Sequence, residues 1–116
     1  MSKRRSNPER EIHRAVVQHL EARKRPGVLF IHVPNAPRNK IAGAILKSLG
    51  MRKGASDLIL FHNKEFFALE IKAPRGRMSP EQKQFQSDFI AAGGYAMTGY
   101  GVDECLSFLS NWDILK

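Results

Sequence analysis

The feature that most constrains this chain is a pair of apolar, β-prone runs, residues 57–62 and 65–72, with only Asn63 and Lys64 between them. Two strands joined by a two-residue loop pair as an antiparallel hairpin, and Asn tolerates the positive φ that such a turn requires. Both runs carry charged residues at the end away from the turn. The sequence therefore predicts a hairpin with apolar strands and a charged open end.

A turn at Asn63-Lys64 fixes which residues of the two strands face each other. In that register Leu58 pairs with Leu69, and Asp57 comes to lie opposite Glu70. Directly opposed side chains have Cβ atoms about 4.5–5.5 Å apart, where like charges destabilise a sheet. Three arrangements would remove the conflict: one carboxyl group is protonated, a cation lies between the two, or the register differs and both face water.

The cation is the arrangement with chemical consequences. Two carboxylates that face one point suit a hard divalent ion such as Mg²⁺, with water and substrate phosphate completing its coordination. Lys72 projects from the same strand face as Glu70, since side chains alternate along a strand. There it could align a water or stabilise charge developing on a phosphate. The plainer alternative is a surface hairpin end with an ordinary Glu–Lys pair.

The remaining sequence predicts an α/β fold with one domain at residues 8–116 after a disordered basic arm at 1–7. Helical periodicity with capping and stop residues, and β-prone runs between them, give the order α-β-α-β-β-α-β-α. This order favours a mixed sheet flanked by helices. Besides the hairpin, the expected helices are at about 8–24, 40–49, 80–92 and 103–111, and the expected strands at 28–33 and 95–99.

The charge is unevenly distributed along the chain. The net charge is +8, with +10 in residues 1–53 and −2 in residues 54–116. Such asymmetry favours a polyanion partner, of which nucleic acid is the commonest, although a solvated basic surface would look the same. No apolar run approaches the roughly 18–20 residues of a membrane span, and the single Cys105 is typical of a reducing compartment. We expect a cytoplasmic protein of bacterial or phage-like context.

Several short motifs in a fixed order carry a family resemblance. In chain order they are Glu11, GASD (54–57), EIK (70–72) and SPEQ (79–82), with HVPNAPR (32–38) before GASD and AAGGYAM (91–97) after SPEQ. The set resembles the PD-(D/E)XK nuclease superfamily and, within it, the VRR-NUC domain family. This resemblance implies a restriction-endonuclease-like core that cleaves phosphodiester bonds with Mg²⁺, or Mn²⁺ as a substitute.

The resemblance also implies roles for the charged end of the hairpin. Carried over by position, Asp57 and Glu70 would be metal ligands, together with the backbone carbonyl of Ile71. Lys72 would be the catalytic lysine.

Glu11 and Gln82 are further site residues by the same resemblance, and each has a structural alternative. Glu11 would reach the metal directly or through water, or it is only an acidic residue favoured in the first turn of a helix. Gln82 would line the site, and it also completes a capping box with Ser79. Both roles of Gln82 are compatible, because a capped helix end beside a metal presents free amides to phosphate.

The substrate implied by the resemblance is branched DNA, including the four-way Holliday junction, cut by a homodimer. Alternatives are a non-catalytic nucleic-acid-binding module, or a nuclease for flap, nicked or single-stranded DNA or for RNA. The apolar residues of the second helix and of the C-terminal helix are the candidate dimer interface. Phosphate contacts are predicted for the polar residues flanking the motifs: Asn35, Arg38, Arg52, Lys53, Arg75 and Arg77.

Overall fold

The computed structural model describes residues 7–34 and 39–116. Most of the predicted basic arm, and the candidate phosphate contacts Asn35 and Arg38, therefore lie outside the described residues. All eight predicted elements are present in the predicted order. They are α1 (Pro8–Arg23), β1 (Leu29–His32), α2 (Lys40–Ser48), β2 (Leu58–His62), β3 (Glu65–Lys72), α3 (Pro80–Ala91), β4 (Tyr95–Tyr100) and α4 (Val102–Asn111).

Side-chain caps set where three of the helices begin. The Oδ1 atoms of Asn7 and Asn39 accept backbone N–H groups of the first turns of α1 and α2, at 3.1 and 2.8 Å. Ser79 does the same for α3, as the sequence predicts. Each cap satisfies a donor that has no partner inside the helix, which is why the boundaries could be read from these residue types.

The four strands form one mixed sheet in the order β1-β2-β3-β4. The first two neighbouring pairs are antiparallel, and β3 and β4 are parallel. The predicted hairpin register is confirmed, with Leu58 opposite Leu69. Asn63 and Lys64 have φ values of 51° and 65°, as a two-residue hairpin turn requires.

Helices α1 and α4 cover one face of the sheet and enclose the core. Strand alternation places the apolar residues Phe67, Leu69 and Ile71 of β3 on this face. Val16 and Leu20 of α1 and Leu109 of α4 are fully buried against them. This packing leaves the opposite face, which carries Glu70 and Lys72, to α3.

Cys105 lies in this core, beneath β4. A Cβ atom at Gly99 would overlap its Sγ atom, so the glycine makes the close approach of α4 possible. The thiol donates to the Gly99 carbonyl at 3.5 Å. Burial, with a smaller contribution from Glu104, raises the pKa of the Cys105 thiol to about 12. The thiol is therefore buried and un-ionised at neutral pH.

Within the described sheet, helix α3 packs on the other face, over β3 and β4. Phe89 meets Phe66 edge to face, with ring centroids 5.2 Å apart, and Gln86 donates to the Thr98 hydroxyl at 2.7 Å. The i, i+4 spacing of Phe85 and Phe89 on α3 would by itself predict two core residues, yet both remain partly exposed. The reason is that α3 is the only described helix on this face and covers half of the sheet, so no other layer packs against the sides of α3.

Apolar side chains are exposed on α2 and on the part of the sheet that α3 does not cover, among the described residues. Ile41, Ile45 and Leu49, spaced four residues apart along α2, are 74, 55 and 78% exposed. The outer face of β1 and β2 exposes three more large side chains, Leu29, Ile31 and Phe61. None of the described helices is long and apolar enough to span a bilayer.

Candidate active site

The open end of the hairpin brings the predicted carboxylates together. Asp57 directly precedes β2, and its Oδ2 atom accepts the backbone N–H of Ile71 at 2.7 Å. This bond holds the Asp57 carboxylate across the strand pair, beside the neighbouring residue Glu70. Burial is the main cause that raises the pKa of Glu70, and the negative charge of Asp57 raises it further.

Glu70 is the most unusual residue of the site. It is 3% exposed, and its Oε1 atom has no hydrogen-bond partner within the described residues. Burial is the largest cause that raises its pKa, followed by the charge of Asp57, and Lys72 partly opposes them; the resulting pKa is about 8. A buried, orphaned carboxylate oxygen next to a second carboxylate is a position that a cation would stabilise.

Lys72 lies between two acids. Its Nζ atom is 3.8 Å from Glu70 Oε2 and 4.0 Å from Glu9 Oε1, and the residue is 8% exposed. Both distances are long for a charge-assisted hydrogen bond. The ammonium group therefore stays within reach of a ligand entering the site.

Gln82 both caps α3 and contacts Glu70. Its Oε1 atom accepts the backbone N–H of Ser79 at 2.9 Å, completing the capping box. Its Nε2 atom donates to Glu70 Oε2 at 3.0 Å. The first turn of α3 thus orients the second oxygen of Glu70 and leaves the first one free.

The loop before Asp57 is pressed against that same turn of α3. Gly54 has a φ of 88°, and a Cβ atom there would overlap the carbonyl group of Glu81. Only glycine accommodates both the left-handed backbone and the close approach. This contact fixes the position of the loop that carries Asp57 relative to Gln82.

Helix α1 contributes Glu9 to the site, whereas sequence reasoning selected Glu11. Residues two apart on a helix point in different directions, while residues four apart share a face. Glu9 shares its face with His13 and approaches Lys72, whereas Glu11 is exposed. The helical spacing of Glu9 and His13 was the signal in the sequence that could have identified Glu9.

Two histidines line the cavity over the carboxylates. The rings of His13 and His32 meet edge to face with centroids 4.5 Å apart, and His32 Nδ1 lies 3.0 Å from the backbone oxygen of Asp57. Burial lowers the pKa of His13, and the nearby Asp57 opposes that shift. The cavity has a volume of about 780 Å³, and its lining includes Glu9, His13, His32, Asp57, Glu70 and Gln82. It is large enough to admit a nucleotide-sized group.

The sequence model of the VRR-NUC domain matches residues 7–103, which include every element that builds this site. The chain belongs to the VRR-NUC domain family. A solved structure described as a VRR_NUC domain protein is similar with a TM-score of 0.76 at 19% identity, covering 97% of this chain and 99% of the other. A second, described as a VRR_NUC domain, has a TM-score of 0.64 at 14% identity and covers 92% and 99%.

These likenesses establish the VRR-NUC fold for the mixed sheet and its helices. VRR-NUC is a nuclease family, so the chain has a nuclease-type domain, and a nuclease domain implies a nucleic-acid substrate. Among curated proteins none matches the chain significantly.

The VRR-NUC domain places the other predicted contact residues on the surface. Lys53, Arg75 and Arg77 are exposed. Arg52 is engaged by α3: its guanidinium donates to Asp88 at 2.6 Å and lies over the ring of Phe85, 5.7 Å from its centroid. That pairing lowers the pKa of Asp88. Arg52 therefore anchors the loop after α2 to α3.

A metal at the site would have few protein ligands. In the part of the chain that the structure describes, no three His, Cys, Asp or Glu side chains are grouped to enclose an ion. Asp57 and Glu70 supply two carboxylates, and the remaining positions would fall to a backbone carbonyl, water and substrate. Mg²⁺ commonly binds in this way, since it keeps several waters and uses only one or two carboxylates.

Proposed function

We propose that this VRR-NUC domain is a divalent-metal-dependent DNA endonuclease that hydrolyses phosphodiester bonds. The observation that carries the proposal is the state of Glu70. Its carboxyl group is buried, one oxygen has no partner among the described residues, and the pKa of about 8 reflects burial beside Asp57. Once this carboxyl group is ionised, its buried charge costs stability unless a cation compensates it.

The donor set fits Mg²⁺ or Mn²⁺. Asp57 and Glu70 are the proposed ligands, with the backbone carbonyl of Ile71 as a third. Oxygen donors of this kind suit hard cations. When bound, the metal would supply positive charge that polarises the scissile phosphate and lowers the pKa of an attacking water.

The chain's own residues have separate roles in the proposed reaction. Gln82 holds Glu70 through its 3.0 Å hydrogen bond and thereby presents the free oxygen to the cation. Lys72, held loosely between two acids, aligns the nucleophile and stabilises negative charge on the phosphate. Glu9, on α1, orients Lys72. We propose that Glu9 has the role that the family resemblance gives to Glu11.

We propose branched DNA, including four-way junctions, as the substrate and a homodimer as the active form. The resemblance to small standalone VRR-NUC proteins supports both. The exposed apolar stripe of α2 adds support for the dimer, because a monomer rarely leaves three large aliphatic side chains in water on one helix face. Two sites related by a two-fold axis would meet two strands of a symmetric junction.

A cleavage assay tests the proposal. The purified protein is incubated with duplex, flap, single-stranded and four-way-junction DNA, in Mg²⁺ or in EDTA. We expect cleavage in Mg²⁺ or Mn²⁺ but none in EDTA, with the junction cut fastest. Lys72→Ala should cut much more slowly, by about a hundredfold or more.

The same assay distinguishes the alternatives. Binding without cleavage in either metal would identify a non-catalytic nucleic-acid-binding module. A preference for flaps, nicks or single strands would reject the junction assignment but keep the nuclease. Cleavage by Lys72→Ala at the wild-type rate would remove Lys72 from the reaction.

A further inference from the structure

A second cavity, of about 560 Å³, lies between α2 and the loop that follows it. Its lining contains four basic residues and no acidic one: Lys40, Lys47, Arg52 and Lys53, with Asn39, Gly43 and Met51. No described residue pairs with the ammonium groups of Lys40, Lys47 and Lys53 in an ion pair, whereas Arg52 is neutralised by Asp88. The cavity therefore has a net positive charge with three available cations.

Helix α2 separates this basic face from its apolar one. At 100° per residue, Lys40, Gly43 and Lys47 fall on one side of the helix, while Ile41, Ile45 and Leu49 fall on the other. Gly43 lies between the two lysines in sequence and lines the cavity without a side chain. The lysine stems and Met51 supply an apolar lining beneath the charges.

The cavity is connected to the active site by a short, firmly held segment. Lys53 at the cavity and Asp57 at the carboxylates are four residues apart, so their Cα atoms are separated by at most about 14 Å. The segment is fixed to α3 by Arg52 on one side of Lys53 and by Gly54 on the other. A polyanion bound at Lys53 would consequently lie within about four phosphates, along a strand, of the reacting phosphate.

We propose that this cavity binds the phosphodiester backbone of the strand being cut, a few nucleotides from the scissile phosphate, with Lys40, Lys47 and Lys53 as its phosphate contacts. The proposal rests on the proposed function only in taking the bound strand to be the one that enters the active site. It adds Lys40 and Lys47 of α2 to the nucleic-acid surface and gives Arg52 an anchoring role there.

The test measures binding apart from cleavage. Affinity for a fluorescently labelled four-way junction and for the matching duplex is measured in EDTA between about 50 and 200 mM salt. The variant Lys40→Gln/Lys47→Gln loses two charges at the cavity. The control Lys64→Gln/Lys116→Gln loses two charges at exposed lysines of the hairpin turn and the C-terminus.

A plot of log K against log salt has a negative slope. Each lost phosphate contact makes that slope less steep by about 0.7 for single strands and 0.9 for duplex. We expect the cavity variant to reduce the steepness of the slope by about 1.4 to 1.8. In a separate cleavage assay with Mg²⁺, it should raise KM with little change in kcat. The control should leave the slope unchanged to within about 0.5. Equal slopes for cavity variant and control would overturn the proposal.

Failure of this proposal and failure of the proposed function give different results. If the wild type does not cleave DNA, but the salt slope becomes shallower in the cavity variant and not in the control, the cavity site is supported and the nuclease proposal is rejected. If the wild type cleaves DNA in a metal-dependent way, but the cavity variant and the control have equal salt slopes, the nuclease proposal is supported and the cavity site is rejected. Melting curves of both double variants exclude unfolding as the cause.

Discussion

At the scale of single residues, the site depends on one carboxyl group that is poorly solvated by its surroundings. Glu70 is held by Gln82 on one oxygen and by no described residue on the other. Its ionisation state is therefore set by what enters the site. Lys72 alone compensates it incompletely, because Glu9 and Asp57 oppose that single positive charge.

Glu70 makes the stability of the metal-free protein depend on pH. Its pKa is raised from 4.5 to about 8 in the folded state, so between these values the folded chain binds more protons than the unfolded chain. The stabilising contribution is therefore complete at low pH and is lost as pH rises towards 8. We expect the free energy of unfolding in EDTA to fall by a few kcal/mol between about pH 5 and pH 8.

Thermal melts of wild type and Glu70→Gln check this expectation. The pH dependence due to Glu70 is the difference between the two proteins. His13 makes the same contribution to the pH dependence of both proteins. That contribution has the opposite sign to the one from Glu70, because the pKa of His13 is lowered. Mg²⁺ should raise the Tm of the wild type more at pH 8 than at pH 5, since it binds the ionised carboxylate. Parallel pH curves for the two proteins would contradict the expectation.

Glu9 and Glu11 form a matched pair for a kinetic test. Both are acids in the first turn of α1, so replacing either by Gln removes the same favourable interaction with the helix dipole. Only Glu9 approaches Lys72, at 4.0 Å. We expect Glu9→Gln to lower kcat by about tenfold or more and Glu11→Gln to stay within about twofold. The reverse order in single-turnover rates would restore Glu11 to the site.

At the scale of elements, the contact between the loop 51–57 and the first turn of α3 positions the site. Two glycines of this region, Gly50 and Gly54, have positive φ values of 99° and 88°. A Cβ at Gly50 meets nothing within 4 Å, whereas one at Gly54 overlaps the backbone of α3. The two positions thus share backbone strain and differ in packing.

Alanine substitutions separate these two effects. Gly50→Ala should cost about 1–2 kcal/mol of stability, the strain of a left-handed backbone alone. Gly54→Ala should cost more and should also lower kcat, because the loop must move away from Gln82 and carry Asp57 with it. Denaturant melts and cleavage rates measure both quantities. Equal losses for the two variants would mean that the close contact with α3 has no part in positioning the site.

The elements were largely predictable, and the reasons are local. Asn7 and Ser79 are capping residues that mark where α1 and α3 begin. The Asn63-Lys64 turn fixes the hairpin register that brings Asp57 beside Glu70. The features that could not be predicted depend on contacts between residues far apart in the sequence. The choice between Glu9 and Glu11 depends on which face of α1 meets the sheet, and the partial exposure of Phe85 depends on how little of the sheet α3 covers.

At the scale of the whole molecule, charge and apolar surface lie on opposite sides of α2. One side of that helix is basic and lines the second cavity, and the other exposes Ile41, Ile45 and Leu49. This separation allows a second copy to pack on α2 without covering the lysines proposed for DNA. Association and substrate binding could then be altered independently.

Sedimentation velocity tests the dimer at this surface. We expect a dimeric wild type and a largely monomeric Ile45→Glu variant, with a loss of about 2 kcal/mol or more in association. Ile90→Glu is the matched control, since Ile90 on α3 is 54% exposed and Ile45 is 55% exposed. The control should remain dimeric. Dissociation of both variants, or of neither, would place the interface elsewhere or reject the dimer.

The burial of Cys105 has a practical consequence for experiments on the intact molecule. It is the single cysteine of the chain, fully buried under Gly99, and its thiol pKa is about 12. Only the thiolate reacts readily with maleimides or iodoacetamides, so the folded native chain should behave as a cysteine-free background. One cysteine introduced at an exposed site, such as Ser110 of α4, would then carry a dye at a single known position without prior replacement of Cys105. Fluorescence energy transfer to a labelled DNA strand could follow the approach of substrate in real time.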